Sequence, residues 1–171
     1  PDDLYRRLRD EDALNGLAWV AYAPAEDRVV LVMPAALAEE ARLRSISDLA
    51  YHLDNLDPDL VLCTTAVIDG SAYGPAALRR VYAARFKTAN VRLMDAAATI
   101  AGLRDGGCHV ALVSATTIPP GAVDLRVLWD DRDLMPASNL APVVRAFAMR
   151  DHPELAPLLR RLCAALDQET L

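Results

Sequence analysis

Thiols, imidazoles and clustered carboxylates are the side chains of this 171-residue sequence that could do chemistry. His52 and Asp54 precede Cys63, and a thiol beside an imidazole held by a carboxylate makes an activated nucleophile. Both fall at the polar end of a helical pattern, which favours a surface position. Cys108 and His109 adjoin at a strand start, where alternation sends them to opposite faces. His152 has no partner at ligand spacing, and zinc needs about three well-placed ligands. No catalytic group, metal or cofactor is therefore expected. Asp69-Gly70-Ser71-Ala72-Tyr73-Gly74 ahead of a helix could cradle a phosphate, but lacks the Lys-Ser/Thr end of a P-loop and the full dinucleotide fingerprint. It reads as a strand-to-helix turn. Asp130, Asp131 and Asp133 lack the later Gly and Glu of a calcium loop and read as a solvated turn. Cys63, Cys108 and Cys163 are widely spaced with no Cys-x-x-Cys pair, so they read as buried free thiols.

The elements that must position these groups follow from periodicity and punctuation. Asp2 and Asp3 can cap a helix through Leu4 and Leu8 that Asn15-Gly16 stops. Residues 17–23 and 28–33 read as two apolar strands meeting across a short polar link. Residues 34–44 are helix-prone, and Ser45-Ile46-Ser47-Asp48 has the Ser-x-x-Asp form of a capping box ahead of Leu49 and Leu53. From Leu60 onward strands at 60–64, 90–94 and 109–114 alternate with helices at 75–84 and 96–104. The strands are continuously apolar, as expected when both faces of a mostly parallel sheet are covered, so this stretch reads as a βαβαβ unit. Strands near 125–129 and 142–147 and a closing helix over 153–166 complete the chain. Trp19 and Trp129 are expected in the core.

Composition narrows the partners. Eighteen basic residues face 24 acidic ones, a formal net charge of −6, and 53% of the chain is hydrophobic. That argues for a globular core and against a nucleic-acid or anionic membrane surface as partner. The longest apolar runs are too short for the roughly 20 residues of a membrane span.

The order of short segments carries more than any single residue. Ala18-Trp19-Val20-Ala21-Tyr22-Ala23-Pro24-Ala25-Glu26-Asp27-Arg28-Val29-Val30 opens the series, followed by Ser45-Ile46-Ser47-Asp48-Leu49 and Phe86-Lys87. Ile100-Ala101-Gly102-Leu103-Arg104-Asp105-Gly106-Gly107, Leu128-Trp129-Asp130-Asp131-Arg132 and Pro136-Ala137-Ser138-Asn139 continue it. In this order the chain resembles the C-terminal part of the substrate-binding proteins of ABC transporters for quaternary-amine osmoprotectants such as glycine betaine, choline and carnitine. The resemblance implies an α/β, type II periplasmic-binding-protein fold. One complete βαβαβ lobe would span 35–120, and 1–34 with 121–171 would form the second half of the other lobe. It further implies a non-enzymatic solute-binding module acting outside the cytoplasm, held at the membrane by its permease or by a lipid anchor not present in this sequence.

The family encloses a trimethylammonium group in aromatic rings, which cation–π attraction favours. At positions where relatives place cage tyrosines this chain has Val29 and Ser138, and the turn where relatives supply an Arg reads Ile68-Asp69-Gly70-Ser71. The polar residues at strand ends and crossovers, where open α/β sheets bind, are Asp27, Arg28, Thr64, Thr65, Ser114, Thr116, Ser138 and Asn139. These are the expected lining of a ligand site between the lobes. Arg28 with Thr64 or Thr65 suits a small carboxylate, which shifts the expected ligand from a bare quaternary amine to a small polar or zwitterionic molecule. The alternative is a domain that keeps the fold but not the pocket and acts as an interaction or regulatory module, with homodimerisation as its signature.

Overall fold

The computed structural model describes residues 2–167, which divide into two compact units: 2–28 with 137–167, and 29–136. In chain order the elements are α1 (Asp2–Ala13), β1 (Leu17–Trp19), β2 (Val29–Pro34), α2 (Ala35–Glu40), α3 (Ile46–Asn55), β3 (Leu62–Thr64), α4 (Ala66–Asp69) and α5 (Pro75–Tyr82). They continue with β4 (Val91–Leu93), α6 (Ala96–Asp105), β5 (Val110–Ser114), β6 (Leu125–Val127), β7 (Val143–Arg145), α7 (Ala146–Asp151) and α8 (Leu155–Ala165).

The second unit is built on a five-stranded sheet in the order β4-β3-β5-β2-β6. Strands β4, β3 and β5 are parallel, while β2 runs antiparallel to both β5 and β6. Alternation divides its apolar residues between two cores. Leu31, Met33, Leu62, Val110 and Leu112 meet Ile46, Leu49 and Leu53 of α3 and Leu78 and Tyr82 of α5 on one face. Val30, Val32, Cys63, Ala111 and Val113 meet Ile100 and Leu103 of α6 on the other. Burial of each leucine or isoleucine contributes roughly 1.5–3 kcal/mol, so this unit holds the larger share of the chain's apolar driving force. Its bounds differ from the 35–120 read in the sequence. The reason is β2, which the sequence paired with the strand before it. Instead β1 pairs with β7 in the first unit, and β2 with β5 and β6 in the second.

Two expectations about single residues are corrected here. Cys63 and Cys108 are not free thiols but a disulfide, with Cα atoms 5.9 Å apart. Parallel pairing of β3 with β5 brings together cysteines 45 positions apart. Gly102 lies against the bridge: a Cβ there would stand 2.6 Å from the Cys108 sulfur, so only glycine lets α6 approach this closely. Cys163 is free and buried, and burial pushes its thiol pKa up. Trp129, expected in the core, is 71% exposed. It follows edge strand β6 and alternates with buried Leu128, so its ring points away from the core.

Polar groups finish the elements. Ser45 and Asp48 form a reciprocal capping box at the start of α3, and Asp48 also accepts the Arg44 N–H at 3.0 Å. His52, expected at the surface, is half-buried on α3 beside Leu53. The loop after β6 is not a solvated turn. Asp130 accepts the Tyr82 hydroxyl and the N–H groups of Leu134 (3.1 Å) and Met135 (2.6 Å). Asp131 accepts the N–H of Ser47 at 3.1 Å, and the Arg132 guanidinium lies 5.2 Å from the Tyr82 ring centroid. Burial, and then donation to Asp130, raise the Tyr82 pKa well above its ordinary value. The Asp69–Gly74 turn is also internally satisfied, with Ser71 donating to Ile68 O at 2.7 Å and accepting from Tyr73 N–H at 3.1 Å.

The first unit is thinner. Its sheet is the β1–β7 pair, and its buried apolar residues among those described are Ala23, Ala25 and Cys163. Leu4, Leu8, Phe147, Leu158 and Leu162 are exposed. Helix α7 replaces the end of the strand read over 142–147.

Replacing Cys63 and Cys108 together by alanine is expected to lower unfolding free energy by about 2–4 kcal/mol, as loss of a cross-link closing a long loop requires. Urea denaturation of the double variant beside Cys163→Ala checks this, since the free thiol should have the smaller effect. The capping box makes a pH-dependent contribution. The Arg44 N–H first, then the bonds at Ser45, hold the Asp48 carboxyl below its ordinary range. Its stabilisation is therefore complete above about pH 4, the ordinary Asp value, and is lost as pH falls through the lower folded value. Asp48→Ala should cost about 1 kcal/mol at pH 7, with the difference from wild type vanishing in acid melts.

Candidate ligand-binding site

In the first unit, backbone pairing brings residues 23–28 against 138–140. Ala23 N–H donates to Leu140 O at 2.7 Å, Asp27 N–H donates to Ser138 O at 3.0 Å, and Glu26 bridges Asn139. The Asn139 amide donates to the carbonyls of Ala23 (3.1 Å) and Pro24 (3.4 Å), which fixes a segment that has no regular hydrogen-bond ladder of its own. Arg28 pairs with Glu26 at 3.4 Å and remains about half exposed. Four expected lining residues, Asp27, Arg28, Ser138 and Asn139, are thus gathered by one pair of extended segments.

Ser138 and Asn139 also border a cleft of about 140 Å³ whose other walls include Tyr5, Trp19 and Tyr22, with Leu4 and Leu8 of α1. The Tyr5 ring lies 5.7 Å from Trp19 in an edge-to-face arrangement and 5.1 Å from Tyr22. Two carboxylates hold the outer ring atoms: the indole N–H donates to Asp12 at 2.7 Å and the Tyr22 hydroxyl donates to Asp2. The bond to Asp2 is the main cause of a raised Tyr22 pKa, whereas burial is the main cause for Tyr5. Sequence reasoning missed this cluster because it took 17–23 as one strand, which places Trp19 and Tyr22 on opposite faces. The strand ends at Trp19, and the irregular chain beyond it turns Tyr22 to the same side. Aromatic residues three apart beside a helix carrying Tyr5 were the available signal.

Within the second unit, polar groups stand at the carboxyl ends of the parallel strands, where open α/β sheets present ligand-binding groups. Thr65 follows β3 and accepts the Ile68 N–H at 3.3 Å, capping α4. Ser114 ends β5, and its hydroxyl lies 3.2 Å from that of Thr116 in the turn that follows. Thr64 is different. It is fully buried and donates to Leu112 O at 2.8 Å, so its hydroxyl is used within the sheet. His109 likewise has a structural contact, its Nδ1 accepting the Val61 N–H at 2.9 Å. Among the described residues no three His, Cys, Asp or Glu side chains gather in a way that could hold a metal.

An open α/β sheet with polar strand ends, joined in one chain to a second small unit, defines a module of the type II periplasmic-binding-protein fold. Comparison with solved proteins agrees: a glycine betaine/carnitine/choline ABC transporter structure aligns over 99% of this chain with a TM-score of 0.82 at 21% identity. Residues 3–171 match the substrate binding domain of ABC-type glycine betaine transport system, and the chain belongs to that family. The glycine-betaine-binding protein of Pseudomonas aeruginosa is 31% identical over 98% of the chain, and the glycine betaine-binding protein YehZ of Escherichia coli 29% identical over 98%. The structure of apo YehZ aligns over 97% of the chain with a TM-score of 0.70 and 26% identity. The chain spans 55% and 56% of the length of the two curated relatives, and 61% of each of the two solved chains.

Asn139→Ala should lower stability by about 1 kcal/mol, the net worth of the hydrogen bonds it removes. Asn139→Asp should cost more, because a carboxylate would face two carbonyl oxygens with no proton to share. Chemical denaturation of the two variants checks the order.

Proposed function

We propose that this chain acts in an extracytoplasmic solute-binding protein that delivers a small zwitterion carrying a methylated ammonium group to an ABC permease. The observation that carries the reading is the cleft bounded by Tyr5, Trp19 and Tyr22, in a chain whose family membership extends over 3–171. Aromatic faces attract a quaternary ammonium that water solvates weakly, by about 0.5–2 kcal/mol per favourable contact. Asp2 and Asp12 at the ring edges add negative potential. Arg28, with its planar fork, is the group suited to the carboxylate of such a zwitterion.

The names of the relatives support this class of solute, since those proteins are described as binding glycine betaine. The Cys63–Cys108 bridge supports a location outside the reducing cytoplasm, where disulfides persist. Attachment to the membrane, through the permease or through a lipid anchor, is part of the same proposal.

Titration of the full-length protein with glycine betaine, choline and acetate, followed by tryptophan emission and calorimetry, tests the reading. Saturable binding of glycine betaine, weaker binding of choline, and loss of both on Tyr5→Ala with Trp19→Ala are the expected results. Acetate binding as tight as glycine betaine, or unchanged binding in the double variant, would overturn it.

A further inference from the structure

Three arginines line a groove of the second unit. Arg42, Arg44 and Arg126 form its walls with Glu39, Ala38 and Leu43 lie beneath them, and the volume is about 540 Å³. Ala38 and Leu43 are buried. Glu39 pairs with Arg126 at 3.3 Å. On a chain of net charge −6, three cationic side chains facing one carboxylate make a local excess of the opposite sign.

The backbone beneath the arginines is rigidly set. Leu43 N–H donates to Ala38 O at 2.8 Å and Arg42 N–H to Glu39 O at 3.2 Å, the paired bonds of a Schellman turn ending α2. Arg44 N–H is held by Asp48 at 3.0 Å, and Arg44 O accepts from Trp129 N–H at 2.9 Å. Arg126 lies opposite Met33 on β6. The residue that closes such a turn is left-handed and is usually glycine. Here it is Arg42, at φ 57°. A long cationic side chain thus occupies a backbone position that favours glycine, as Ala83 and Asp133 do elsewhere in this unit.

We propose that this groove is a second binding site, specific for paired carboxylates on a short carbon chain. The guanidinium forks take the carboxylate oxygens, one carboxylate to each fork. The carboxylates could belong to a free dicarboxylic acid or to successive acidic side chains of a polypeptide, which share this chemistry.

Calorimetry of the full-length protein at pH 7 and constant ionic strength, with succinate, citrate, acetate and an N-acetylated hexaglutamate peptide as probes, separates these sources. Saturable succinate or citrate binding, of about millimolar affinity or tighter, identifies a free acid. Binding of the peptide alone identifies an acidic segment. In either case Arg42→Gln and Arg126→Gln should each weaken binding about ten-fold or more, while Arg161→Gln on α8 leaves it unchanged. Arg42→Gly is the decisive variant: it should raise the melting temperature by about 2–4 °C by relieving the left-handed position, and weaken binding as much as Arg42→Gln. No binding of any probe, acetate as tight as succinate, or full affinity in Arg42→Gln overturns the proposal. These outcomes do not depend on the solute reading, because the cleft variants Tyr5→Ala and Trp19→Ala leave the groove intact.

Discussion

Antiparallel insertion of β2 between β5 and β6 is the constraint on which the second unit depends. β2 is a central strand with both edges paired and both faces covered, so Leu31 and Met33 serve one core while Val30 and Val32 serve the other. Withdrawing β2 would open both layers at once. The same pairing sets β6 at the sheet's edge, which leaves Trp129 outside and places Arg126 over the end of α2. It also sets the strand β5 against which Cys108 and β3 must align, so the disulfide and the close seat of α6 at Gly102 are consequences of one strand's placement.

Many side chains able to do chemistry are engaged in holding this arrangement. Thr64 ties β3 to β5, His109 ties the start of β5 to Val61, and Asp130 gathers Tyr82 with two backbone donors. A buried polar group left unpaired costs more than a hydrogen bond returns, so groups taken into the core are spent on the backbone. Groups at the strand ends face a weaker demand. Thr65 caps α4, and the Ser114 and Thr116 hydroxyls lie 3.2 Å apart, each contact spanning only a few residues of the chain.

Local signals were legible in the sequence and non-local ones were not. The capping box at Ser45 and Asp48, the stop of α1 near Asn15 and the continuously apolar β5 each depend on residues a few positions apart. The disulfide depends on pairing across 45 positions, the exposure of Trp129 on which strand ends the sheet, and the position of Tyr22 on where β1 stops. All eight expected lining residues stand outside regular strands or at a strand's last residue, Thr64 closing β3 and Ser114 closing β5. The pattern of strand ends could not show that Thr64, one residue earlier than Thr65, has turned inward. A shift of one position along a strand exchanges its two faces, and nothing local distinguishes those two threonines.

The absence of aromatic residues at two positions where the family resemblance implies tyrosines does not by itself remove the chemistry they would supply. Cation–π attraction requires ring faces at the right separation, not rings at particular places in a sequence. Val29 and Ser138 stand where tyrosines were expected, yet Tyr5, Trp19 and Tyr22 meet at 5.1 and 5.7 Å beside Ser138. Their orientation is held from outside by Asp12 on the indole and Asp2 on the phenol. Those carboxylates do two things at once: they satisfy the polar tips of the rings, and they bias the enclosed space toward a cation. The first effect is internal to the protein, and the second is the electrostatic basis on which the proposed reading assigns a cationic head group.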